Sequence, residues 1–240
     1  MRRSFSEILA LCTDCALPQR FSHVKAAIFD MDGTLLDSMG MWRDVPFLYL
    51  EMKGVRDIPD RERLWNEFKV LSLQDAARIF QREYGFSESV ETIVEEIDDV
   101  VFGQYAVRIR AKPGAMAFLS ALKEAGVPRG LATATDRRCV LAALRRLRMV
   151  RLAGTVATCS EAGASKDKSP AVYDMIAARF GLARGECAVF EDALHGVRTA
   201  KAAGYSVIAV RDQSTADSGE WHEIERVADD VLGRYGARGI

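Results

Sequence analysis

The chain has 240 residues, of which 49% are hydrophobic and 28% charged, and its 33 basic and 34 acidic residues give a formal net charge of -1. This composition excludes a mainly disordered chain and allows one large domain, or one domain that carries an insertion. The near-zero charge provides no overall field that would favour nucleic acid or an anionic membrane, so any site for an anion must be local.

The cysteines and the apolar segments predict a cytoplasmic protein. The five cysteines are odd in number and three of them lie in apolar segments, which is typical of buried thiols in a reducing compartment. Cys12 and Cys15 form a lone C-x-x-C without a second pair or a His-x-x-x-His to complete a zinc site, so we interpret them as structural. No stretch approaches the ~18 apolar residues of a membrane span.

Residues 1–23 are predicted to form an N-terminal extension, a short helix followed by a tether that contains Pro18. The first strand is predicted over Ala26–Phe29, an apolar run that leads into two carboxylates. Because side chains two apart on a strand point to the same side, Asp30 and Asp32 can both face one spot beyond the carboxyl end of the strand. Two like charges so close need a cation between them or a shared proton.

The residues that follow complete the loop Asp30-Met31-Asp32-Gly33-Thr34. Gly33 permits a sharp turn, and the Thr34 hydroxyl is predicted to bond to the following backbone. The calcium loop of an EF-hand also begins D-x-D, but it needs glycine at its sixth position and glutamate at its twelfth. Those positions hold Leu35 and Met41, and the preceding run is strand-like, so an EF-hand is excluded.

A helical pattern replaces the strand pattern between Met39 and about Arg110. Apolar residues recur there at helical spacing, and Gly54, Pro59 and Gly85 divide the stretch into about four helices. We therefore predict a helical insertion over 39–110, within a core domain formed by 24–38 and 111–240.

Helices and strands alternate in the rest of the chain. The predicted helices are Ala115–Glu124, Arg137–Met149, Pro170–Phe180 and Leu194–Ala203, and the predicted strands are Val127–Thr133, Thr155–Cys159, Cys187–Phe190 and Ser206–Val210. Such alternation implies an α/β fold, a Rossmann-like doubly wound parallel sheet covered by helices on both faces. Ligands of this architecture bind beyond the carboxyl ends of the strands.

A run of arginines between Arg137 and Arg151 is the densest basic segment of the chain. Leu141, Leu144 and Leu147 interleave with the arginines at helical spacing, so we interpret the run as the solvated face of a helix. We expect neither nucleic acid nor a membrane as a partner, and the sequence does not predict an oligomeric state.

Polar residues end the predicted strands at one edge of the sheet. Besides Asp30 and Asp32, these residues are Thr133, Thr135, Glu191 and Asp192, and Lys166 and Lys168 precede the Pro170–Phe180 helix. This set suits phosphoryl transfer from a small phosphate ester, with Asp30 attacking phosphorus and Asp32 acting as acid and then base. Carboxylates at this edge offer the oxygen ligands that Mg²⁺ prefers, and a hydroxyl and a lysine can hold the phosphoryl oxygens.

These four segments, in this order and spacing, resemble the motifs of the haloacid dehalogenase superfamily of aspartate-nucleophile phosphatases and phosphomutases. The resemblance covers about Lys25 to Asp212 and implies that the helical insertion is a cap domain. It implies Mg²⁺ bound by Asp30, the backbone carbonyl of Asp32, and Asp192. Glu191-Asp192 resembles the β-phosphoglucomutase and small-metabolite phosphatase branch, in which Glu191 assists the metal because Gly196 stands where other members have a second aspartate.

The lysine motif departs from the family pattern. The family places its lysine three residues before the proline that opens the helix, whereas here lysines stand two and four residues before Pro170. A deletion of one residue would explain the spacing, and we favour Lys168 over Lys166 for the phosphate site.

The leading hypothesis is a magnesium-dependent phosphatase that acts on a small phosphorylated metabolite. The candidate substrate-binding residues are Thr133, Thr135, Gly33, Trp42 and Arg43. A phosphomutase of the β-phosphoglucomutase type is the alternative, although Trp42 stands where that enzyme has a hinge histidine. A catalytically inactive protein that binds a phosphorylated ligand is a second alternative, but it would have no need of Asp30 and Asp32.

Overall fold

The computed structural model describes residues 3–68, 71–214 and 219–236, and the chain divides into two units. The first unit comprises Met1–Ser38 and Arg110–Ile240, and the second comprises Met39–Ile109. No helix within the described ranges is both long and apolar enough to cross a membrane.

The first unit is built on a parallel sheet of six strands in the order β5-β4-β1-β6-β7-β8. These strands are β1 (Ala26–Phe29), β4 (Arg129–Thr133), β5 (Thr155–Thr158), β6 (Cys187–Glu191), β7 (Ser206–Val210) and β8 (Asp230–Leu232). A separate antiparallel pair consists of β2 (Leu36–Asp37) and β3 (Arg110–Ala111). All four residues of β1 are apolar and buried, which fits a strand that is paired on both sides.

Helices of the first unit follow the strands in alternation. They are α1 (Phe5–Cys12), α6 (Ala115–Ala125), α7 (Arg137–Arg146), α8 (Val150–Ala153), α9 (Cys159–Ala162), α10 (Ala171–Phe180), α11 (Leu194–Ala202) and α12 (Gly219–Val227). Asp136 caps α7 by accepting a hydrogen bond from the backbone N–H of Arg138, as capping aspartates do. The predicted fold class, a Rossmann-like parallel sheet with flanking helices, is confirmed.

The second unit contains four helices in its described residues. They are α2 (Met39–Met52), α3 (Arg61–Phe68), α4 (Leu73–Tyr84) and α5 (Val90–Val107). Ser72 and Ser89 cap α4 and α5 with their hydroxyls, and the aromatic rings of Tyr49 and Phe80 pack together at a centroid distance of 5.2 Å.

Several local predictions are wrong, among them the start of the strand predicted over Val127–Thr133, which begins at Arg129. The sheet gains a sixth strand, β8, and the predicted tether around Pro18 is a 3-10 helix over Pro18–Phe21 whose end residues are both buried. The helix predicted to reach Met149 ends at Arg146, because Arg148 takes a left-handed conformation with φ 57°. The strand predicted to reach Cys159 ends at Thr158, because the Thr158 side chain caps α9.

Candidate active site

The carboxyl ends of β1 and β6 bring three acidic residues together. Phe29 pairs with Phe190 at the end of the register, so Asp30, which follows β1, lies beside Glu191 and Asp192. The Lys166 ammonium donates hydrogen bonds to Asp30 Oδ1 and, over 2.6 Å, to Glu191 Oε1. Because the exposed fraction of Lys166 is only 4%, this is a buried ion-pair cluster and not a surface salt bridge.

The candidate metal ligands are Asp30, Glu191 and Asp192. One carboxylate oxygen from each lies within 4.8 Å of the others, and all three residues are buried. A small cation that prefers oxygen ligands fits this donor set, since the Lys166 ammonium contacts Asp30 and Glu191 and a third buried carboxylate, Asp192, lies beside them. The cluster is consistent with a bound divalent metal.

Burial and mutual repulsion set the protonation of these acids in the absence of a metal. Burial raises the pKa of Asp30 to about 7; Lys166 opposes this shift, and the charges of Glu191 and Asp32 add to it. Burial also raises the pKa of Asp192 well above its usual range, with further contributions from Asp30 and Glu191. Burial alone would lower the pKa of Lys166, but the attraction of Asp30 and Glu191 outweighs burial and holds that pKa well above its usual value.

The loop after β1 approaches Asp192 closely. Gly33 has φ 73°, a conformation that favours glycine, and a Cβ at this position would clash with the Asp192 carboxylate. The Thr34 hydroxyl donates a 3.1 Å hydrogen bond to Asp192 Oδ1, instead of bonding to the following backbone as predicted. The Gly33 N–H donates to the Leu36 carbonyl, so a turn already occupies that donor.

Asp32 is oriented by two hydroxyl groups. Ser38 Oγ donates to Asp32 Oδ1 over 2.6 Å, and Thr135 Oγ1 donates to Asp32 Oδ2 over 2.5 Å. The buried Thr133 hydroxyl accepts a hydrogen bond from the Thr135 backbone N–H, which ties the end of β4 to the same place. Asp32 is half-buried, whereas Asp30 is buried, so the two acids of one loop occupy different environments.

Glu191 has its own set of partners. Its Oε1 accepts a 2.8 Å hydrogen bond from the hydroxyl of Tyr173, and the Lys166 ammonium lies 5.5 Å from the centroid of the Tyr173 ring. A Cβ at Gly196 would lie 2.5 Å from Glu191 Oε1. The chain therefore has room for the Glu191 carboxylate because position 196 carries no side chain.

The structure reverses the choice between the two candidate lysines. Lys166 is buried and contacts Asp30 and Glu191, whereas Lys168 is exposed. Both lie in the turn that precedes α10, where the Lys168 and Ser169 backbone N–H groups bond to the Ser165 carbonyl. This tight turn directs the two lysines to different sides, which a count of residues back from Pro170 does not reveal.

Trp42 and Arg43 lie in the second unit, at the start of α2. Trp42 is half-buried and packs edge-on against Tyr105, with ring centroids 6.5 Å apart. Arg43 is exposed and, with Phe47 and Trp65 among others, lines a cleft of about 570 Å³. A contact of Trp42 or Arg43 with substrate stays a prediction.

Two further residues, Tyr173 and Ser38, contact the acidic residues of the site. Tyr173 lies inside a predicted helix, where its spacing is that of an ordinary core residue. Ser38 follows the first motif closely, and a hydroxyl six residues after Asp32 was the available signal.

Comparison with known proteins gives matches along most of the chain. A family model described as haloacid dehalogenase-like hydrolase matches residues 24–204. The CbbY protein of Cupriavidus necator is 28% identical over 221 residues, which cover 82% of each chain. A phosphorylated carbohydrates phosphatase of Thermotoga maritima is 26% identical over 191 residues, which cover 75% of this chain and 82% of the relative.

A solved structure is similar in fold. CbbY from Rhodobacter sphaeroides, in complex with phosphate, superimposes with a TM-score of 0.68 at 22% identity. The match covers 88% of this chain and 94% of the CbbY chain. At this identity the similarity shows a common fold and no more.

Proposed function

The chain belongs to the haloacid dehalogenase-like hydrolases, and from that premise we propose that it is a phosphatase that hydrolyses a small phosphorylated metabolite through an aspartyl-phosphate. The observation that carries the proposal is the buried Asp30 carboxylate, held by Lys166 beside Glu191 and Asp192. A nucleophile for phosphorus, an ammonium group and a set of oxygen ligands for a cation thus occupy one place.

The proposed first step is attack of an Asp30 carboxylate oxygen on phosphorus. The new bond joins Asp30 to phosphorus, the bond from phosphorus to the leaving oxygen breaks, and Asp32 gives its proton to that oxygen. In the second step Asp32 takes a proton from water, the water oxygen attacks phosphorus, and the bond to Asp30 breaks. Inorganic phosphate and free Asp30 result.

The two hydroxyl contacts of Asp32 support its role as acid and base. Donors on both carboxylate oxygens fix the plane of the Asp32 group, so its proton can be presented in one direction. We propose that Thr133 and Lys166 bind the oxygens of the transferring phosphoryl group. Thr135 and the turn at Gly33 shape the loop around these oxygens.

We propose that Asp30, Asp192 and the backbone carbonyl of Asp32 hold Mg²⁺, with Glu191 assisting. A bound Mg²⁺ would offset part of the negative charge that these carboxylates and a phosphoryl group bring together. Ligation by Asp30 keeps that carboxylate ionised, whereas burial alone favours its protonated form.

The substrate class follows from the relatives and is part of the proposal. The relative from Thermotoga maritima is named as a phosphatase of phosphorylated carbohydrates, so we propose a sugar or polyol phosphate. We assign the choice among such esters to a cap domain over 39–110, in which Trp42 and Arg43 are the candidates for contact with the substrate.

We also propose a cytoplasmic location, with which the five free cysteines agree.

The test is release of phosphate from a panel of sugar phosphates, polyol phosphates and nucleotides, with MgCl₂ or with EDTA. We expect magnesium-dependent turnover by the wild type and a loss of at least about 10³-fold in Asp30→Asn, which lacks the nucleophile. Asp37→Asn is the matched control, since Asp37 is exposed on β2, and should keep wild-type turnover.

Two results would overturn the proposal. Phosphoglucomutase activity with a sugar bisphosphate, at a rate above phosphate release, would favour the mutase. Absence of turnover across the whole panel would favour a protein that only binds a phosphorylated ligand.

A further inference from the structure

We propose that Tyr235 is a positioning residue for the loop of residues 30–36, and that the N-terminal extension holds Tyr235 in place. The inference rests on the proposed function, since it concerns the loop that carries Asp30 and Asp32. Both the extension and Tyr235 lie outside residues 24–204, which the family model matches.

Tyr235 contacts Thr34, a residue of the loop, through a hydrogen bond. Tyr235 is 4% exposed, and its hydroxyl donates a 3.1 Å hydrogen bond to the Thr34 carbonyl. The Tyr235 ring packs against Phe118 with centroids 5.7 Å apart, which fixes the direction of the hydroxyl.

Thr34 connects this contact to the site. Its carbonyl accepts from Tyr235, and its hydroxyl donates to Asp192 Oδ1 over 3.1 Å. Because both groups belong to one fully buried residue, a displacement of the Thr34 carbonyl also displaces the hydroxyl that orients Asp192. Tyr235 therefore acts on a candidate metal ligand through Thr34.

Other bonds also hold the loop, both to distant elements and within it: the Lys112 N–H donates to the Leu35 carbonyl over 2.8 Å, and Leu36 pairs with Ala111 of β3. The N–H of Gly33 donates to the Leu36 carbonyl over 3.0 Å, and the N–H groups of Leu35 and Leu36 donate to the Met31 carbonyl. The Tyr235 hydroxyl adds a bond from a residue 201 positions away in sequence, which ties the loop to the body of the unit.

The extension fixes the segment that carries Tyr235. Tyr235 forms an antiparallel bridge with Thr13, and the N–H of Gly236 donates to the Cys12 carbonyl over 2.8 Å. Asp14 Oδ1 accepts from the N–H groups of Gly233 and Arg234, over 2.9 and 3.1 Å.

The extension is in turn anchored on the core. Phe5, Ile8 and Leu9 of α1 are buried, and the ring of Phe5 packs edge-on against that of Phe190 in β6. The extension is thus built into the unit, and it holds Tyr235 against the loop.

The phenol of Tyr235 is held in its protonated form, in which it can donate to the Thr34 carbonyl. Burial raises the pKa of Tyr235 well above its usual value, and the charges of Cys15, Asp192 and Asp30 act in the same direction. The hydroxyl keeps its proton, and its hydrogen bond to the Thr34 carbonyl persists across the working pH range.

The test compares Tyr235→Phe with a matched control, Tyr205→Phe. Both substitutions remove one buried hydroxyl and keep the ring; the Tyr205 hydroxyl donates to Asp174 Oδ1 over 2.6 Å. The first readout is amide hydrogen exchange of residues 31–37 in the metal-free protein. The second is the Mg²⁺ dissociation constant from calorimetry without substrate, and thermal unfolding checks that each variant folds.

We expect Tyr235→Phe to speed exchange of the Gly33, Leu35 and Leu36 amides and to raise the Mg²⁺ dissociation constant about 3- to 10-fold, the effect of losing one orienting hydrogen bond. Tyr205→Phe should leave both unchanged. Asp14→Ala should change amide exchange and the Mg²⁺ dissociation constant in the same direction as Tyr235→Phe. The variant that combines Asp14→Ala with Tyr235→Phe should bind Mg²⁺ no more weakly than Tyr235→Phe alone.

The role of Tyr235 would be refuted by wild-type exchange in Tyr235→Phe, or by an equal change in Tyr205→Phe. Failure of the wild type itself to bind Mg²⁺ or to release phosphate would count against the proposed function instead. The exchange measurement needs neither metal nor substrate, so it decides the role of Tyr235 in either case.

Discussion

Replacing Lys166 with methionine removes an ammonium group that contacts both Asp30 and Glu191. Lys166 is buried, and removal of one partner from a buried ion pair costs about 3–5 kcal/mol, because the remaining charges lose their compensation. The pKa of Asp30 is already about 7, so the acids of the variant can relieve part of this cost by binding protons. We therefore expect the free energy of unfolding of the metal-free protein to fall by about 3 kcal/mol at pH 8 and by less at pH 5.

The same substitution should lower kcat by about 10²–10³-fold, the usual effect of losing one preorganised donor to the reacting group. The assay is phosphate release with saturating MgCl₂, together with urea unfolding at pH 5 and pH 8. Lys168→Met is the matched control: Lys168 is exposed, and its replacement should change kcat less than about threefold and stability by less than about 0.5 kcal/mol. Wild-type kcat in Lys166→Met, or an equal loss in Lys168→Met, would refute the assignment of Lys166.

Two further predictions concern the loop and the acids. Gly33→Ala should weaken Mg²⁺ binding at least about tenfold in calorimetry, because its Cβ would clash with Asp192, a candidate ligand. The matched control is Gly181→Ala, because Gly181 has a similar positive φ but no atom within 4 Å of the added Cβ. This control should lower the free energy of unfolding by only ~1–2 kcal/mol, the cost of its backbone conformation, and leave the Mg²⁺ affinity unchanged. A loss of Mg²⁺ affinity in Gly181→Ala equal to that in Gly33→Ala would contradict the clash. The raised pKa of Asp30 stabilises the metal-free fold below the unfolded pKa of about 3.9, and that stabilisation is lost as the pH rises through about 7. The Tm in EDTA should accordingly fall between pH 4 and pH 8. The fall should be smaller in Asp30→Asn and in saturating MgCl₂. A Tm that rises over this range would contradict the raised pKa of Asp30.

The sequence predicted the centre of the fold well, because strong apolar runs and punctuating residues mark it. The bounds of β1 and β7 are as predicted, since each is a continuous apolar run beside a polar or glycine signal. The β8 strand was missed because Asp230–Leu232 offers only two apolar residues, and its pairing with β7 depends on the rest of the sheet.

The site was predicted as far as strand order alone can place residues. The meeting of Asp30, Glu191 and Asp192 follows from β1 and β6 being neighbours. The sequence favours Lys168, whereas the structure places Lys166 against Asp30 and Glu191, because a turn, and not a strand or helix, sets the direction of each lysine. Tyr173 was beyond reach, because a hydrogen bond from a helix to Glu191 has no signature in local spacing.

The central position of β1 has a consequence for the order in which the protein can assemble. Strand β1 is made before β6, which is one of its two neighbours in the sheet, and the partner of Thr34, Asp192, follows only 158 residues later. Until β6 leaves the ribosome, β1 has an open apolar edge, the kind of surface on which chaperones act and aggregates begin. The loop of residues 30–36 is therefore synthesised well before Glu191 and Asp192, and the cluster of acidic residues is incomplete until β6 and Asp192 have emerged.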